Sequence, residues 1–289
     1  MVKTIEEIER AIIKTYKKDI WVKFVRAIND FDMIKDGDEI AVAISGGKDS
    51  LTLAKLFQEL KRHGKMKFEL EFIAMNPGYV DENIERLEYN CKALGIPVKM
   101  YDSDIFQVAE KIAGENPCYM CARMRRGNLY AKAQSLGCNK LALGHHFNDV
   151  IETVMLNIIY SGNFKTMMPK LHSDNFENME IIRPMYYVEE EAIKRFMRFT
   201  GLRPLDCACA VTKRRSGNRR FWIKDLISEI KKVHPQADIN ILRSTENVNM
   251  GAIVGYKIRD EKHSFLETYE KNSSGYEDKD ENDCDNCQI

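Results

Sequence analysis

The six residues Ser45–Ser50, Ser-Gly-Gly-Lys-Asp-Ser, constrain the fold of this chain more than any other segment. They follow a mainly apolar run at 39–44, which is typical of a buried strand, and precede an amphipathic helical pattern that starts near Leu51. A glycine pair permits a tight turn and a close approach to a ligand, and the next helix presents free N–H groups to an anion. This strand–loop–helix unit predicts a polyphosphate-binding loop, with ATP as the expected ligand, formed by Ser45, Gly46, Gly47, Lys48, Asp49 and Ser50.

The side chains of this loop suit a nucleotide. Ser45 and Ser50 offer hydroxyl groups, Lys48 supplies a positive charge, and Asp49 is a suitable ligand for Mg²⁺. The alternative is a simple glycine turn, against which the correct flanking elements and the downstream motifs argue. The loop lacks the distant first glycine of G-x-x-x-x-G-K-[ST] and resembles the S-G-G-x-D-S loop of the N-type ATP pyrophosphatases (PP-loop enzymes). That resemblance implies cleavage of ATP to AMP and pyrophosphate.

Strand-like and helix-like segments alternate through the first half of the chain. Further strands are expected at 68–75, 96–101 and 140–143, with helices between them, including 81–94 and one from Asp104. The pattern predicts an α/β fold with a Rossmann-like parallel sheet, preceded by N-terminal helices and followed by a helical C-terminal portion. Ligands bind at the carboxyl ends of such strands, so the phosphate loop, Met75-Asn76 and Gly144 should converge on one crevice.

The predicted organisation has four segments. They are an N-terminal helical segment (1–35), a PP-loop ATP pyrophosphatase domain (36–205), a helical extension (206–259) and a mostly disordered acidic tail (260–289).

Charge and apolar content narrow the functional classes. Lys plus Arg and Asp plus Glu each number 44, so any RNA binding must come from local patches. The charged start of the chain and the lack of a long apolar stretch predict a cytoplasmic protein with no membrane partner.

Six of the eight cysteines form close pairs, which in a reducing compartment indicates metal or cluster ligands instead of disulfides. Cys91 and Cys138 are expected to be buried thiols.

Cys118 and Cys121 precede a helix-forming segment and would share one face of its first turn. The helix N-terminus and the nearby arginines favour the thiolate form, and zinc, an iron–sulfur cluster and a redox dithiol all use such a pair. Cys207 and Cys209 offer the further ligand. Two cysteines so close in a loop fit poorly on one tetrahedral zinc, whereas three thiolates and one vacancy suit a [4Fe–4S] cluster, which we therefore favour.

The segment from Gly144 to Thr153 joins a strand to a helix. Gly144, His145 and Asp149 are predicted nucleotide-binding residues, with Gly144 allowing close backbone approach. The simpler interpretations are that Asp149 is an N-cap, that Glu152 completes a capping box, and that the two histidines pack or bond to backbone. For Glu152 we adopt the simpler interpretation.

Basic residues cluster locally in two places. A solvated face is the ordinary interpretation, but the density of cations beside the cysteines predicts contacts to RNA phosphates. The residues concerned are Lys213, Arg214, Arg215, Arg219 and Arg220, extended by Arg123, Arg125 and Arg126.

From about Phe31 to about Asn249 the chain resembles the tRNA 2-thiocytidine synthetases, a family of iron–sulfur-dependent tRNA thiolases. Besides the phosphate loop, the shared motifs are Asp32-Met33-Ile34, Cys118-x-x-Cys121-x-Arg123-x-Arg125-Arg126-Gly127, Leu143-Gly144-His145-His146, Pro169-Lys170-Leu171 and Ile182-Arg183-Pro184.

The resemblance implies that ATP adenylates the C2 oxygen of cytidine 32 in the tRNA anticodon loop and that sulfur then displaces AMP. It implies catalytic roles for Asp49, Cys118, Cys121 and Cys207, the three cysteines holding the cluster. The sulfur donor, a cysteine desulfurase or free sulfide, and the oligomeric state, a homodimer included, stay open.

Three positions depart from the family pattern: Asn148 replaces a usual aspartate, Cys207-Ala208-Cys209 replaces a usual Cys-x-x-Cys, and Cys284 and Cys287 have no counterpart. The alternative functions are thiolation of another tRNA nucleoside such as uridine, a PP-loop ligase without sulfur chemistry, and a zinc-stabilised RNA-binding protein without turnover.

Overall fold

The computed structural model describes residues 2–103, 117–205 and 219–269, with residues 117–122 described only as helical backbone. A six-stranded sheet in the order β3-β2-β1-β4-β6-β5 forms the centre of the molecule. Every neighbouring pair is parallel except β5 and β6. The strands are β1 (Glu39–Ala43), β2 (Glu69–Asn76), β3 (Val98–Asp102), β4 (Lys140–Ala142), β5 (Lys170–His172) and β6 (Glu180–Ile182).

Helices cover both faces of this sheet. Ile40 and Val42 of β1 belong to one hydrophobic cluster, while Ala41 belongs to the other, because successive strand residues point to opposite faces. The helices are α1 (Ile5–Ile13), α2 (Val22–Asp30), α3 (Lys48–His63), α4 (Asp81–Ala93), α5 (Pro117–Ser135), α6 (Phe147–Ser161), α7 (Glu190–Thr200), α8 (Arg219–Val233) and α9 (Ala237–Ser244), with a π-helical turn at Lys17–Trp21.

The helix behind the phosphate loop is fastened to the N-terminal helices. Lys55 of α3 is almost fully buried, and its ammonium donates to Glu9 Oε1 of α1 (2.9 Å) and to the Leu94 carbonyl (3.0 Å). A buried charge is tolerated only when it is paired and hydrogen-bonded in this way. The network fixes α3 relative to α1 and to the end of α4.

The parallel α/β architecture and the N-terminal helices confirm the predicted fold class. The sequence analysis did not anticipate β5 and β6, which extend the sheet inside the predicted PP-loop domain. Each of these strands has three residues, which is too short to produce a recognisable apolar alternation. The helix predicted from Asp104 starts outside the described residues.

A second compact unit begins at Arg243, and its described residues end at Tyr269. It contains a 3-10 turn (Met250–Ala252), an antiparallel hairpin of β7 (Gly255–Ile258) and β8 (Glu261–Ser264), and a short helix, α10 (Leu266–Tyr269). The sequence did not indicate this hairpin, whose second strand lies beyond residue 260. The four predicted segments stay a prediction, and residues 270–289 lie outside the described part.

Among the residues that the structure describes, no helix has both the length and the hydrophobicity that a bilayer crossing needs.

Candidate functional site

The ends of β1 and β4 meet at the carboxyl edge of the sheet, where the phosphate loop follows β1. A Cβ atom on Gly144 would lie 3.1 Å from both the Asp49 carbonyl carbon and the Ser50 nitrogen. Gly144 therefore allows the turn after β4 to pack directly against the start of α3, as close backbone approach requires. The structure brings these two predicted site segments together.

The phosphate loop is held by Leu205 and by its own hydroxyl groups. The Leu205 N–H donates to the Gly46 carbonyl (2.9 Å), and the Ser45 N–H donates to Ser50 Oγ (3.1 Å). Ser50 Oγ also donates to the Gly47 carbonyl (3.0 Å). These bonds set the loop conformation before any ligand binds.

Gly46 has a φ of +79°, and a Cβ there would lie 2.6 Å from Leu205 Cδ1. We expect Gly46→Ala to lower the free energy of unfolding by about 2–4 kcal/mol, from left-handed strain plus overpacking. Urea unfolding of the purified variant measures this loss.

Gly37→Ala is the matched control, because Gly37 has a φ of +88° but a Cβ there would meet nothing within 4 Å. Its free energy of unfolding should fall only by the contribution of left-handed strain, about 1–2 kcal/mol. Gly46→Ala should lower the free energy of unfolding by less in a Leu205→Ala background than in the parent, because the overlapping Leu205 atoms are then absent. Equal losses of unfolding free energy in Gly46→Ala and Gly37→Ala would contradict the expected overlap with Leu205.

The first turn of α3 is open to an anion. Gly47 is its N-cap, and no side chain of the described residues caps the turn, so the helix N-terminus keeps N–H groups and a partial positive charge for a ligand. A cleft of about 670 Å³ opens beside this turn, and this volume is within the range of small-molecule sites. It is lined by Gly47, Lys48, Asp49, Glu191, Lys194, Met197, Arg198, Leu202, Pro204 and Leu205.

Lys48 lies between two carboxylates. Its Nζ is 2.9 Å from Asp49 Oδ2 and 3.3 Å from Glu190 Oε1 at the start of α7. Burial alone would lower the pKa of Lys48, but Asp49 and Glu190 outweigh it and raise that pKa. The lysine is therefore a full positive charge beside the loop.

Glu190 is a charge centre that the sequence analysis missed. Burial acts to raise its pKa, but Lys224, Lys194 and Lys48 together lower it to about 2. The Glu190 N–H donates to Asn148 Oδ1 (2.9 Å). Asn148, the departure from the family pattern, thus caps the first turn of α7.

Asp49 and the α6 N-terminus form a second charged group. Asp49 Oδ1 is buried without a hydrogen-bond partner in the described part of the chain, and His146 Nε2 lies 3.7 Å from it. His146 Nδ1 accepts a hydrogen bond from the backbone N–H of Asp149 (3.4 Å). In return, Asp149 Oδ2 accepts one from the backbone N–H of His146 (2.9 Å). The N-cap of α6 is therefore His146, so the alternative interpretation of Asp149 as an N-cap does not hold.

Glu152 does not complete a capping box, contrary to the prediction, because it pairs with Arg220 of α8. Arg220 Nε donates to Glu152 Oε2 (2.7 Å), and its Nη2 donates to Asp149 Oδ1 (2.6 Å). Burial raises the pKa of Asp149, but His146 and Arg220 outweigh it and leave that pKa below its usual value. Arg220 thus neutralises two carboxylates next to the phosphate loop.

His145 accepts a hydrogen bond at Nδ1 from Arg183 Nε (3.3 Å). Burial and the Arg183 charge lower the pKa of His145 to about 4, so the imidazole is neutral at pH 7. Burial likewise lowers the pKa of Arg183 to about 10, with the neighbouring Arg126 acting in the same direction.

We expect the unfolding free energy to fall as pH drops from about 6.5 to about 4. The unfolded chain takes up a proton on His145 in this window and the folded chain does not, which gives up to about 1.4 kcal/mol per pH unit. Urea unfolding at several pH values should show that the free energy of unfolding changes less steeply with pH in His145→Gln than in the parent. His172→Gln, at an 88% exposed side chain, is the control, and equal slopes in all three proteins would contradict the assignment.

The paired cysteines lie at the same edge of the sheet as the phosphate loop. Cys118 and Cys121 fall in the first turn of α5, which runs from the carboxyl edge back towards the start of β4. Arg125, one turn further on, donates to the Tyr79 hydroxyl (3.2 Å) in the segment after β2. Cys207 and Cys209, like Lys213, Arg214 and Arg215, lie outside the described residues.

The other cysteines in the described part are buried single thiols, as predicted. Burial raises the pKa of Cys91 to about 12 and that of Cys138 to about 11. Neither thiol is suited to ligate a metal, because ligation requires the thiolate.

The remaining predicted residues have distinct surroundings. The Met75 side chain is buried, and Asn76 Oδ1 accepts from the Gly78 and Tyr79 N–H groups. Arg123 and Arg126 are exposed on α5, and the Arg219 guanidinium lies 4.8 Å from the centre of the Tyr160 ring.

Comparison with known proteins matches residues 16–206 to the PP-loop domain family. The tRNA-cytidine(32) 2-sulfurtransferase of Syntrophotalea carbinolica is 38% identical over 237 residues, which cover 81% of this chain and 91% of that protein. The enzyme of the same name from Geobacter sulfurreducens is 39% identical over 225 residues, covering 77% and 87%.

Among solved structures, the U34-tRNA thiolase NcsA from Methanococcus maripaludis, solved with its [4Fe-4S] cluster, has a similar fold. The TM-score is 0.63 at 24% identity, and the match covers 82% of this chain and 80% of that one. This likeness confirms the PP-loop fold.

Proposed function

This chain belongs to the tRNA-cytidine 2-sulfurtransferases, a family of ATP-using PP-loop enzymes, and we propose that it converts cytidine 32 of the tRNA anticodon loop to 2-thiocytidine. The observation that carries the proposal is the position of two chemical groups at one sheet edge. The phosphate loop lies there, with an Asp49 Oδ1 that has no hydrogen-bond partner among the described residues, and so does the start of α5, which carries Cys118 and Cys121.

In the first proposed step, the C2 oxygen of cytidine attacks the α-phosphorus of ATP. A phosphorus–oxygen bond forms, the bond to the bridging oxygen breaks, and pyrophosphate leaves. Lys48 and the N–H groups of α3 would stabilise the phosphate charge. Asp49 would bind Mg²⁺ through Oδ1, for which the described residues supply no hydrogen-bond partner. His145, neutral at pH 7, adds no positive charge of its own beside Arg183.

In the second proposed step, sulfur at the sulfide oxidation level adds at C2. A carbon–sulfur bond forms, the bond from C2 to its oxygen breaks, and AMP leaves with that oxygen. Cys118 and Cys121 suit a [4Fe–4S] cluster, because thiolates one helical turn apart share a face, and Cys207 would be the third ligand. Such a cluster, when bound by three thiolates, supplies a metal site for the incoming sulfur.

The proposed partners are tRNA and a sulfur donor, either free sulfide or a cysteine desulfurase whose persulfide sulfur is converted to sulfide by a two-electron reductant. A tRNA substrate supports a cytoplasmic location. Arg123, Arg126 and Arg219 are exposed cations suited to RNA phosphates. Arg220 has a different role in this proposal, since it holds Asp149 and Glu152 beside the loop.

The test is nucleoside mass spectrometry of tRNA from a host lacking 2-thiocytidine that expresses this chain anaerobically. We expect 2-thiocytidine in this tRNA, against none with an empty vector. Appearance of 2-thiouridine instead would reassign the substrate base. No thiolated nucleoside from iron-loaded protein would overturn the sulfur chemistry.

A further inference from the structure

Two exposed aromatic rings and one arginine form a surface next to the site. Tyr160 of α6 and Trp222 of α8 pack edge to face, with ring centres 6.2 Å apart and planes inclined by 79°. The Arg219 guanidinium lies over the Tyr160 ring at 4.8 Å. We name these three residues the aromatic platform.

The platform is open to solvent although its rings are large and apolar. Tyr160 is 40% exposed and Trp222 50%, and Phe221 beside them is 65% exposed. Exposed aromatic residues in contact with an arginine are typical of a binding surface, since apolar area left in water is costly.

The backbone of α8 fixes the direction in which the platform points. Ile223 and Ile227, four residues apart, are buried and hold the helix against the core. Arg220 and Lys224, also four apart, pair with the carboxylates of α6 and α7. The side that carries Arg219 and Trp222 is left to face outwards.

The platform is connected to the phosphate loop by short contacts. Arg220, the residue after Arg219, binds Asp149, and Asp149 in turn bonds to His146 next to Asp49. From Asp149 to Tyr160, α6 advances eleven residues, or about 16 Å at 1.5 Å per residue. A few nucleotides of an RNA strand span such a distance.

We propose that the aromatic platform binds an unpaired nucleotide of the tRNA anticodon loop, a few positions from the modified base, by stacking on Trp222 and Tyr160. The chemistry of the surface favours RNA: bases in loops stack on aromatic and guanidinium planes, and Arg219 adds the positive charge that a polyanion requires. The inference rests on the proposed function, which makes tRNA the substrate.

Trp222 offers a direct readout, because the chain has two tryptophans and Trp21→Phe leaves Trp222 as the only one. We expect its fluorescence to be quenched by an unmodified anticodon stem-loop RNA, and less by a fully paired RNA duplex of equal length. The Trp222→Phe protein, which keeps Trp21, should show no such quenching.

Binding of an unmodified tRNA transcript provides the second readout. Trp222→Ala should weaken the Kd roughly 10-fold or more without changing its salt dependence, because stacking is not electrostatic. Arg219→Gln should reduce the salt slope by about one. Trp222→Phe should bind nearly as well as the parent, and Tyr89→Ala, at a 57% exposed ring on α4, is the matched control.

Unchanged tRNA affinity in Trp222→Ala would overturn the inference while leaving the proposed function intact. Loss of a dimer in that variant, with tRNA affinity kept, would reassign the surface to a second copy of the chain. No tRNA binding by the parent protein would overturn both the inference and the proposed function.

Discussion

Asp49→Asn should lower the rate of pyrophosphate release about 10³-fold and abolish 2-thiocytidine formation. Asp49 Oδ1 is buried with no partner in the described part of the chain, while Oδ2 is paired with Lys48, so one carboxylate oxygen is left for a cation. A bound metal contributes several kcal/mol to a charged transition state, and each 1.36 kcal/mol is a factor of ten in rate. The amide keeps the shape of the side chain and loses the charge.

The measurement is tRNA-dependent pyrophosphate release at several Mg²⁺ concentrations. Asp81→Asn is the matched control, because Asp81 also lies in the first turn of a helix but has an exposed side chain. It should behave as the parent. If Asp49→Asn released pyrophosphate within a few-fold of the parent rate, Asp49 would have no part in the adenylation step.

The sheet was predictable where its strands are long enough to show a pattern. β1 and β2 have apolar runs between clear turn signals, and the phosphate loop fixes the connection from β1 to α3. β5 and β6 are three residues long, and the β7–β8 hairpin lies among polar residues with all of β7 exposed. Neither case leaves an apolar periodicity that a single sequence can show.

The site was predictable only where one short segment carries it. Gly144 and Asp49 belong to local motifs, whereas Glu190 stands in a run of three glutamates that is typical of the acidic first turn of a helix. Its role depends on Lys48 and Lys224, which are distant in sequence and meet it only after folding. Arg220 shows the same limit: its sequence suggests an RNA contact, while the fold pairs it with Asp149 and Glu152.

Cys118→Ala should abolish thiolation and cluster binding while leaving ATP binding unchanged. The cysteine lies on α5 and the phosphate loop precedes α3, so removal of one thiolate leaves the nucleotide contacts intact. Iron and sulfide content, the visible absorbance of the reconstituted protein and ATP affinity are the measurements. In the proposed catalytic sequence, pyrophosphate leaves in the adenylation step and AMP leaves when sulfur is added. The adenylation step should survive in Cys118→Ala, so measuring pyrophosphate and AMP separately distinguishes the two steps.

Cys91→Ala is the control for the loss of a thiol, because burial raises the pKa of Cys91 to about 12 and keeps it protonated. This variant should keep its iron and its thiolation activity. Cys207→Ala and Cys209→Ala then assign the third ligand, since only the ligating cysteine should reproduce the Cys118→Ala result. Full thiolation by Cys118→Ala, or tightly bound zinc with no iron in the parent, would show that sulfur transfer does not use the proposed cluster.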